Sequence, residues 1–150
     1  MEKHHPILPP FYVFGGLAIM LVLHFFLPGI RLIPMPWDLV GAALMVIGLA
    51  LTISSAQTFH RSDTPVRPFE ESTKLVTHGA FRFSRNPMYL GMVIVMVGTA
   101  LLLGTLTPWL VPPVFVAIIQ HFFIVPEEQL MKQTFGDQYR AYRGRVRRWL

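Results

Sequence analysis

Two stretches of this 150-residue chain carry side chains whose types and spacing could do chemistry. The first runs Leu75-Val76-Thr77-His78-Gly79-Ala80-Phe81-Arg82-Phe83-Ser84-Arg85-Asn86-Pro87-Met88-Tyr89-Leu90-Gly91. Gly79 permits a turn, and Pro87 suits the first turn of a helix, where its missing N–H would have no intrahelical partner. Asn86 then falls at the N-cap. Arg85, Asn86 and Tyr89 gather at the entrance of that helix, where free backbone N–H groups and the positive end of the dipole favour an anion, so a ligand carboxylate or phosphate would fit. Taken singly, Arg85 could instead snorkel to lipid headgroups and Tyr89 could sit in an interfacial aromatic belt. Both readings stand at this level.

The second stretch begins Pro126-Glu127-Glu128-Gln129-Leu130 and continues through Phe135-Gly136, Tyr139 and Tyr142 to Val146-Arg147-Arg148-Trp149. Adjacent acids at the first turn of a helix gain roughly 0.3 to 1 kcal/mol from the dipole, which accounts structurally for one of them. The pair also suits recognition of a cation or of hydroxyl and amino donors, a positively charged cofactor among them. Metal chemistry has little to stand on. His4 and His5 are adjacent, His60 and His78 are dispersed, and His24 and His121 lie in apolar runs where neutral, hydrogen-bonded packing is expected. There is no cysteine, no phosphate-binding glycine loop and no nucleophile elbow, which sets aside thiol, nucleotide-hydrolysing and acyl-serine chemistry.

The elements that must position these groups are long uncharged runs. Phe11 to Leu27 is a 17-residue run broken only by His24 and stopped by Pro28-Gly29. A second run follows Trp37-Asp38 and extends to about residue 58. Met88 to Leu106 and Pro108 to Pro126 are uncharged for 19 residues each, with Thr107 as the expected turn centre of a tight helical hairpin. At 1.5 Å per residue, roughly 20 residues cover the hydrocarbon core, so each run can cross once. The expected spans are 11–28, 37–58, 88–106 and 108–126, with a loop at 59–87 and a polar segment at 127–150. Gly41 with Gly48, and Gly91 with Gly98, fall at two-turn spacing and predict close helix packing. Pro112-Pro113 predicts a kink in the fourth span. Residues 131, 135, 139, 142 and 146 share one apolar helical face, which predicts an amphipathic helix along the membrane.

Composition agrees: 53% of residues are apolar and 14% charged, so the chain is read as all-α, one polytopic domain with four transmembrane helices. A net charge of +5 could attract nucleic acid, but the basic residues sit beside apolar runs and are better matched to anionic lipid. Lys3, Arg61, Arg67, Lys74, Arg82, Arg85, Lys132, Arg140, Arg143, Arg145, Arg147 and Arg148 fall on one face, and Arg31 alone on the other. The positive-inside rule then places both termini and the middle loop in the cytoplasm of a cell-membrane protein. The first run lacks a cleavage pattern, so a retained N-terminus is expected.

The order L-V-T-x-G-x-F-R-x-S-R-N-P-M-Y-L-G, a hairpin, then E-E-x-L, F-G, Y-x-x-Y and V-x-R-W resembles the isoprenylcysteine carboxyl methyltransferase and phospholipid methyltransferase superfamily. The resemblance covers residues 73 to 149. It implies an integral-membrane enzyme that takes a methyl group from S-adenosyl-L-methionine, with Leu75, Val76, Phe81, Asn86, Pro87, Tyr89 and Glu128 on the cofactor and Glu127 on the substrate. The prenylcysteine branch typically has histidine where Asn86 stands. It also carries an arginine shortly before the acids, where this chain reads Phe122-Phe123-Ile124-Val125, so a substrate carboxylate would lack that partner.

The expected reaction is an in-line displacement on a lipophilic acceptor, an isoprenylcysteine-type carboxylate or a lipid amine, with Arg85 orienting an anionic group. Such chemistry needs alignment and exclusion of water more than acid–base groups. Two other readings fit the residues: a non-enzymatic membrane scaffold or subunit, and a membrane reductase holding a nicotinamide cofactor.

Overall fold

The computed structural model describes residues 8–63 and 73–150, and every element there is helical. Lys3, His4, His5, Arg67 and the 64–72 part of the expected loop lie outside the described residues. Helix α1 (Pro9–Phe26) opens with prolines in its first turn and stops at Leu27. Helix α2 (Leu39–Arg61) starts after Asp38, whose carboxylate accepts from Arg31 Nη2 at 3.2 Å. Helix α3 (Pro87–Leu103) starts on Pro87 and ends on Gly104, which takes a left-handed φ of 68° that a residue with a Cβ would resist. A 3₁₀ turn over Thr107–Leu110 leads into α4 (Val111–Ile119), a π turn over Gln120–Ile124 and α5 (Val125–Arg145).

Helical turns follow one another from Thr107 to Arg145, 39 residues, with a kink at Gly136. At 1.5 Å per residue the stretch before the kink, Thr107 to Phe135, rises about 44 Å, more than the roughly 30 Å of a hydrocarbon core. With α1 and α2, Thr107–Arg145 is one of three helices long and apolar enough to cross a membrane, and α3 is a shorter apolar helix of 17 residues.

Helix α3 is central. On one side it packs along α2 through two reciprocal glycine contacts. A Cβ on Gly48 would stand 2.6 Å from the Gly91 carbonyl oxygen, and one on Gly98 would stand 2.6 Å from that of Gly41. Backbones can approach this closely only where both faces lack side chains, which is the packing the glycine spacing predicts. On its other side α3 meets α1 and α4 around a core of Met20, Met92, Met96, Phe115, Ile119 and Phe123. At the end away from the acids, the two connections are laced together. Leu32 and Ile33 N–H both donate to the Gly104 carbonyl (2.8 and 3.1 Å), and His24 Nδ1 lies 2.8 Å from Thr105 Oγ1.

Several expected boundaries move for local reasons. The first helix covers 9–26 rather than 11–28, and the second 39–61 rather than 37–58, because Pro9-Pro10 can start a helix while Pro34 to Asp38 make turns. The hairpin turn centres on Gly104 to Leu106, since Gly104 supplies the positive φ, and Thr107 already belongs to the next helical turn. Pro112-Pro113 lie in the first turn of α4, directly after the 3₁₀ turn, and no non-helical φ/ψ marks a break there. The break comes instead at Gly136, with φ 50° and ψ −118°. Residues 127–135 continue the fourth helix, and the separate C-terminal helix expected from 127 begins only after the kink at Gly136. The predicted apolar face turns inward at Tyr139 and Tyr142, both buried. His121 is exposed, with its ring edge-on to Phe122, rather than packed inside.

Candidate active site at the α3 entrance

The entrance of α3 is shaped by its own sequence. Gly79, with φ 64°, starts a short 3₁₀ turn through Arg82 that buries Phe81 against the Phe59 ring, 4.9 Å away and edge-on. Tyr142 from α5 fixes the same turn by donating its hydroxyl to the Phe81 carbonyl at 2.6 Å. Burial pushes that hydroxyl up to about 12, which keeps it protonated as a donor. Ser84 Oγ then accepts the Asn86 N–H at 3.1 Å, an ordering bond just before Pro87 opens the helix. Asn86 occupies the N-cap position without a side-chain cap, because its Nδ2 donates outward to the Arg148 carbonyl at 3.0 Å.

Helix α5 brings the two acids to this entrance from 38 or more residues away. Tyr89 donates its hydroxyl to Glu127 Oε1 at 2.9 Å. Arg85 Nη2 reaches Glu128 Oε1 at 2.9 Å, and Arg148 forks onto the same carboxylate, Nε to Oε1 at 3.0 Å and Nη2 to Oε2 at 2.8 Å. The side chains of Arg85 and Glu128 are each 8% exposed, so this is a buried ion pair with a second guanidinium at its rim. Arg85 Nε is buried without a partner among the described residues.

The neighbouring carboxyls are driven in opposite directions. Burial pushes Glu127, one residue past the uncharged 108–126 run, up to about 7, and the Tyr89 hydroxyl offsets part of that. Burial would also raise Glu128, but the Arg148 hydrogen bonds and the charges of Arg85, Arg148 and Arg143 hold it below the ordinary carboxylate value. The hydrogen bond to Glu128 raises Arg148 in turn. Near neutral pH the site therefore combines a committed anion, two guanidiniums and an acid that can exist in either state.

Of the residues singled out from sequence, Arg85, Asn86 and Glu128 are joined through Arg148 in one hydrogen-bonded network, and Tyr89 with Glu127 forms a second, separate pair at the same entrance. Phe81 and Pro87 are buried at its edge. Val76 is buried and Leu75 half-buried in the segment leading to Gly79, and among the described residues no hydrogen bond joins either to the cluster. Sequence reasoning missed Ser84 and Gln120 and saw Arg148 and Trp149 merely as basic and interfacial anchors. Gln120 could have been noticed, since with His121 it interrupts an otherwise apolar run. Its Oε1 accepts from Trp149 Nε1 at 3.0 Å. Among the described residues no three His, Cys, Asp or Glu side chains gather as a metal set.

The phospholipid methyltransferase family pattern matches residues 37–138, more than half of the chain and every candidate residue from Leu75 to Glu128. The chain belongs to that family. Phospholipid methyltransferase relatives use S-adenosyl-L-methionine within membranes. A probable protein-S-isoprenylcysteine O-methyltransferase of Oryza sativa subsp. indica is 35% identical over 112 residues, covering 71% of this chain and 57% of the rice protein. The Arabidopsis thaliana protein-S-isoprenylcysteine O-methyltransferase B is 34% identical over 71% of this chain and 55% of its own length. An uncharacterized protein of Haemophilus influenzae is 40% identical over 63 residues, 42% of this chain and all of its own length. The chain thus spans a little over half the length of the plant enzymes. Its fold is that of the eukaryotic intramembrane Ras methyltransferase, isoprenylcysteine carboxyl methyltransferase: TM-score 0.65 at 21% identity, covering all of this chain and 54% of the other. This phospholipid methyltransferase family member is accordingly a multi-pass membrane protein.

Proposed function

We propose that this chain catalyses S-adenosyl-L-methionine-dependent methyl transfer to a lipophilic acceptor delivered from the bilayer, an isoprenylcysteine-type carboxylate or a lipid amine. The observation that carries this reading is the meeting of Tyr89 with Glu127 and of Arg85 with Glu128, each at 2.9 Å, across 38 and 43 residues of sequence. The residues present fit the cofactor. Val76, Phe81 and Tyr89 supply buried apolar and aromatic surface, and Tyr89 also bonds the Glu127 carboxyl, a combination suited to a molecule with a flat base and a positive sulfur. Bound there, the cofactor would supply an electrophilic methyl group.

The chain's own residues have the remaining tasks. Leu75, Val76, Phe81 and Pro87 would line the cofactor and exclude water. Asn86 and Glu128 would serve its polar groups, and the Tyr89 ring would face its cation. Arg85, whose Nε is unclaimed, would orient an anionic group of the acceptor. Glu127 would hold the acceptor's polar head, and as an acid that titrates near 7 it could take a proton from an amine. Four spans with both termini and the acids on the cytoplasmic side complete the reading, because the basic residues cluster there.

The test is calorimetry of detergent-purified protein with S-adenosyl-L-methionine, paired with transfer of labelled methyl into organic-extractable lipid. Saturable heat, competed by the demethylated product, is the expected result. Absence of both heat and transfer would refute the proposal.

A further inference from the structure

After α5 the backbone turns extended at Val146 (φ −123°, ψ 129°), and Arg147-Arg148-Trp149 runs back across the entrance of α3. This strap is held at three places. Arg85 N–H donates to the Arg147 carbonyl at 2.9 Å, while Ser84 Oγ and Asn86 Nδ2 both donate to the Arg148 carbonyl, at 3.3 and 3.0 Å. The Arg148 guanidinium grips both oxygens of Glu128, and the Trp149 indole is pinned by Gln120 in the π turn. The strap thus engages the polar groups of Asn86 and Glu128, two residues assigned above to the cofactor.

The two guanidiniums on Glu128 are not equivalent. The Arg85 side chain is 8% exposed and has nowhere else to go, whereas that of Arg148 is 32% exposed and can be taken up by water. If Arg148 lets go, Glu128 keeps Arg85 and is not left as an orphaned charge, so opening the strap avoids the heavy penalty of a bare buried carboxylate. Gly144 lies just before the turn, and nothing stands within 4 Å of where its Cβ would be, so no neighbouring group packs against the chain on that side.

We infer that Arg148 is a positioning residue acting through Glu128 and Asn86, and that its fork is the catch of a gate formed by residues 146–149, which must open for cofactor to enter or leave. The inference rests on the methyl-transfer reading of the site. A catch raises the barrier to exchange in both directions, whereas a merely supportive contact would affect bound lifetime alone.

The experiment measures stopped-flow association and dissociation of S-adenosyl-L-methionine on the full chain in detergent, for wild type, Arg148→Lys and Trp149→Phe. Lysine keeps the charge but cannot fork, and phenylalanine keeps the ring but cannot reach Gln120. The gate predicts that both rate constants rise by about fivefold or more in each variant, with affinity held within about threefold. Unchanged rates, or faster dissociation alone with correspondingly weaker affinity, would overturn the inference while leaving the methyl-transfer reading intact. Should Arg148→Lys fail to fold, Trp149→Phe carries the test. Hydrogen exchange without ligand reads the catch directly: the Arg85 amide should exchange at least about fivefold faster in Trp149→Phe, and unchanged protection would overturn the gate. Wild-type protein that binds no S-adenosyl-L-methionine overturns the functional reading, and the gate with it.

Discussion

Replacing Glu128 with glutamine tests how the site holds itself together. The Arg85 side chain is 8% exposed, and the substitution removes the charge that compensates it. Breaking a buried pair by deleting one partner costs about 3–5 kcal/mol. Glutamine returns part of this, because its amide oxygen can still accept a hydrogen bond from one guanidinium, an interaction of roughly 1.5–3 kcal/mol. Arg148, at 32% exposure, is released to water at a cost of about 0–1 kcal/mol. Taking the middle of each range, the net loss is about 2–3 kcal/mol. For a chain of this size each kcal/mol moves a melting midpoint by about 2–4 °C, so Glu128→Gln should melt roughly 4–12 °C below wild type. Thermal unfolding in detergent followed by tryptophan emission measures it, with Arg148→Ala alongside. That variant keeps the Arg85–Glu128 pair and should lose less than about 1 kcal/mol. The difference also carries a pH signature. Because the Glu128 carboxyl is held below its ordinary value of 4.5, its stabilisation is present above that value and disappears as pH falls through the folded one. The gap between Glu128→Gln and wild type should therefore close in acid. A Glu128→Gln midpoint within about 2 °C of wild type at neutral pH, or an Arg148→Ala loss as large, would refute this account of the burial of Arg85.

Four further outcomes follow from the same contacts. Glu128→Gln should weaken S-adenosyl-L-methionine binding in calorimetry, and unchanged affinity would remove Glu128 from the cofactor side. Glu127 behaves oppositely to Glu128 with pH. Its carboxyl is raised from 4.5 to about 7, so its contribution is most favourable below 4.5 and is lost as pH rises through 7. Glu127→Gln should therefore melt higher than wild type at about pH 8 and equally in acid, which paired melting curves will check. Gly91→Ala would drive a methyl into Thr52 and the Gly48 carbonyl and should destabilise by about 1–3 kcal/mol, whereas Gly15→Ala, with nothing within 4 Å, should be nearly neutral by the same melts. Tyr142→Phe leaves the buried Phe81 carbonyl without its 2.6 Å donor and should cost about 1–3 kcal/mol in denaturant unfolding.

The helices were legible because lipid-facing segments must exclude charge, and lack of charge is visible residue by residue. Their ends were less so. Gly104 and Thr107 both look like turn residues, and only the need for a left-handed φ separates them. Pro112-Pro113 reads as a kink unless the helix start is known. The π turn at Gln120–Ile124 has no sequence signature at all. In the site, Asn86-Pro87 and the twin acids stood out because polar groups at an apolar boundary need explanation. Arg148 did not, since among five arginines between 140 and 148 charge alone cannot show which one turns inward. Its position depends on the chain leaving helical geometry at Val146, a tertiary outcome set by Glu128 and Gln120.

The widened turn at 120–124 has a consequence for anyone who recombines this chain with its relatives. Each residue of a helix turns its successors by about 100°, so one inserted or deleted residue between Val111 and Pro126 would swing Glu127 and Glu128 away from Tyr89 and Arg85 toward the lipid. Splices placed in the Gly104–Leu106 connection would leave that angular setting intact, and splices inside the following helix would have to conserve its length to the residue.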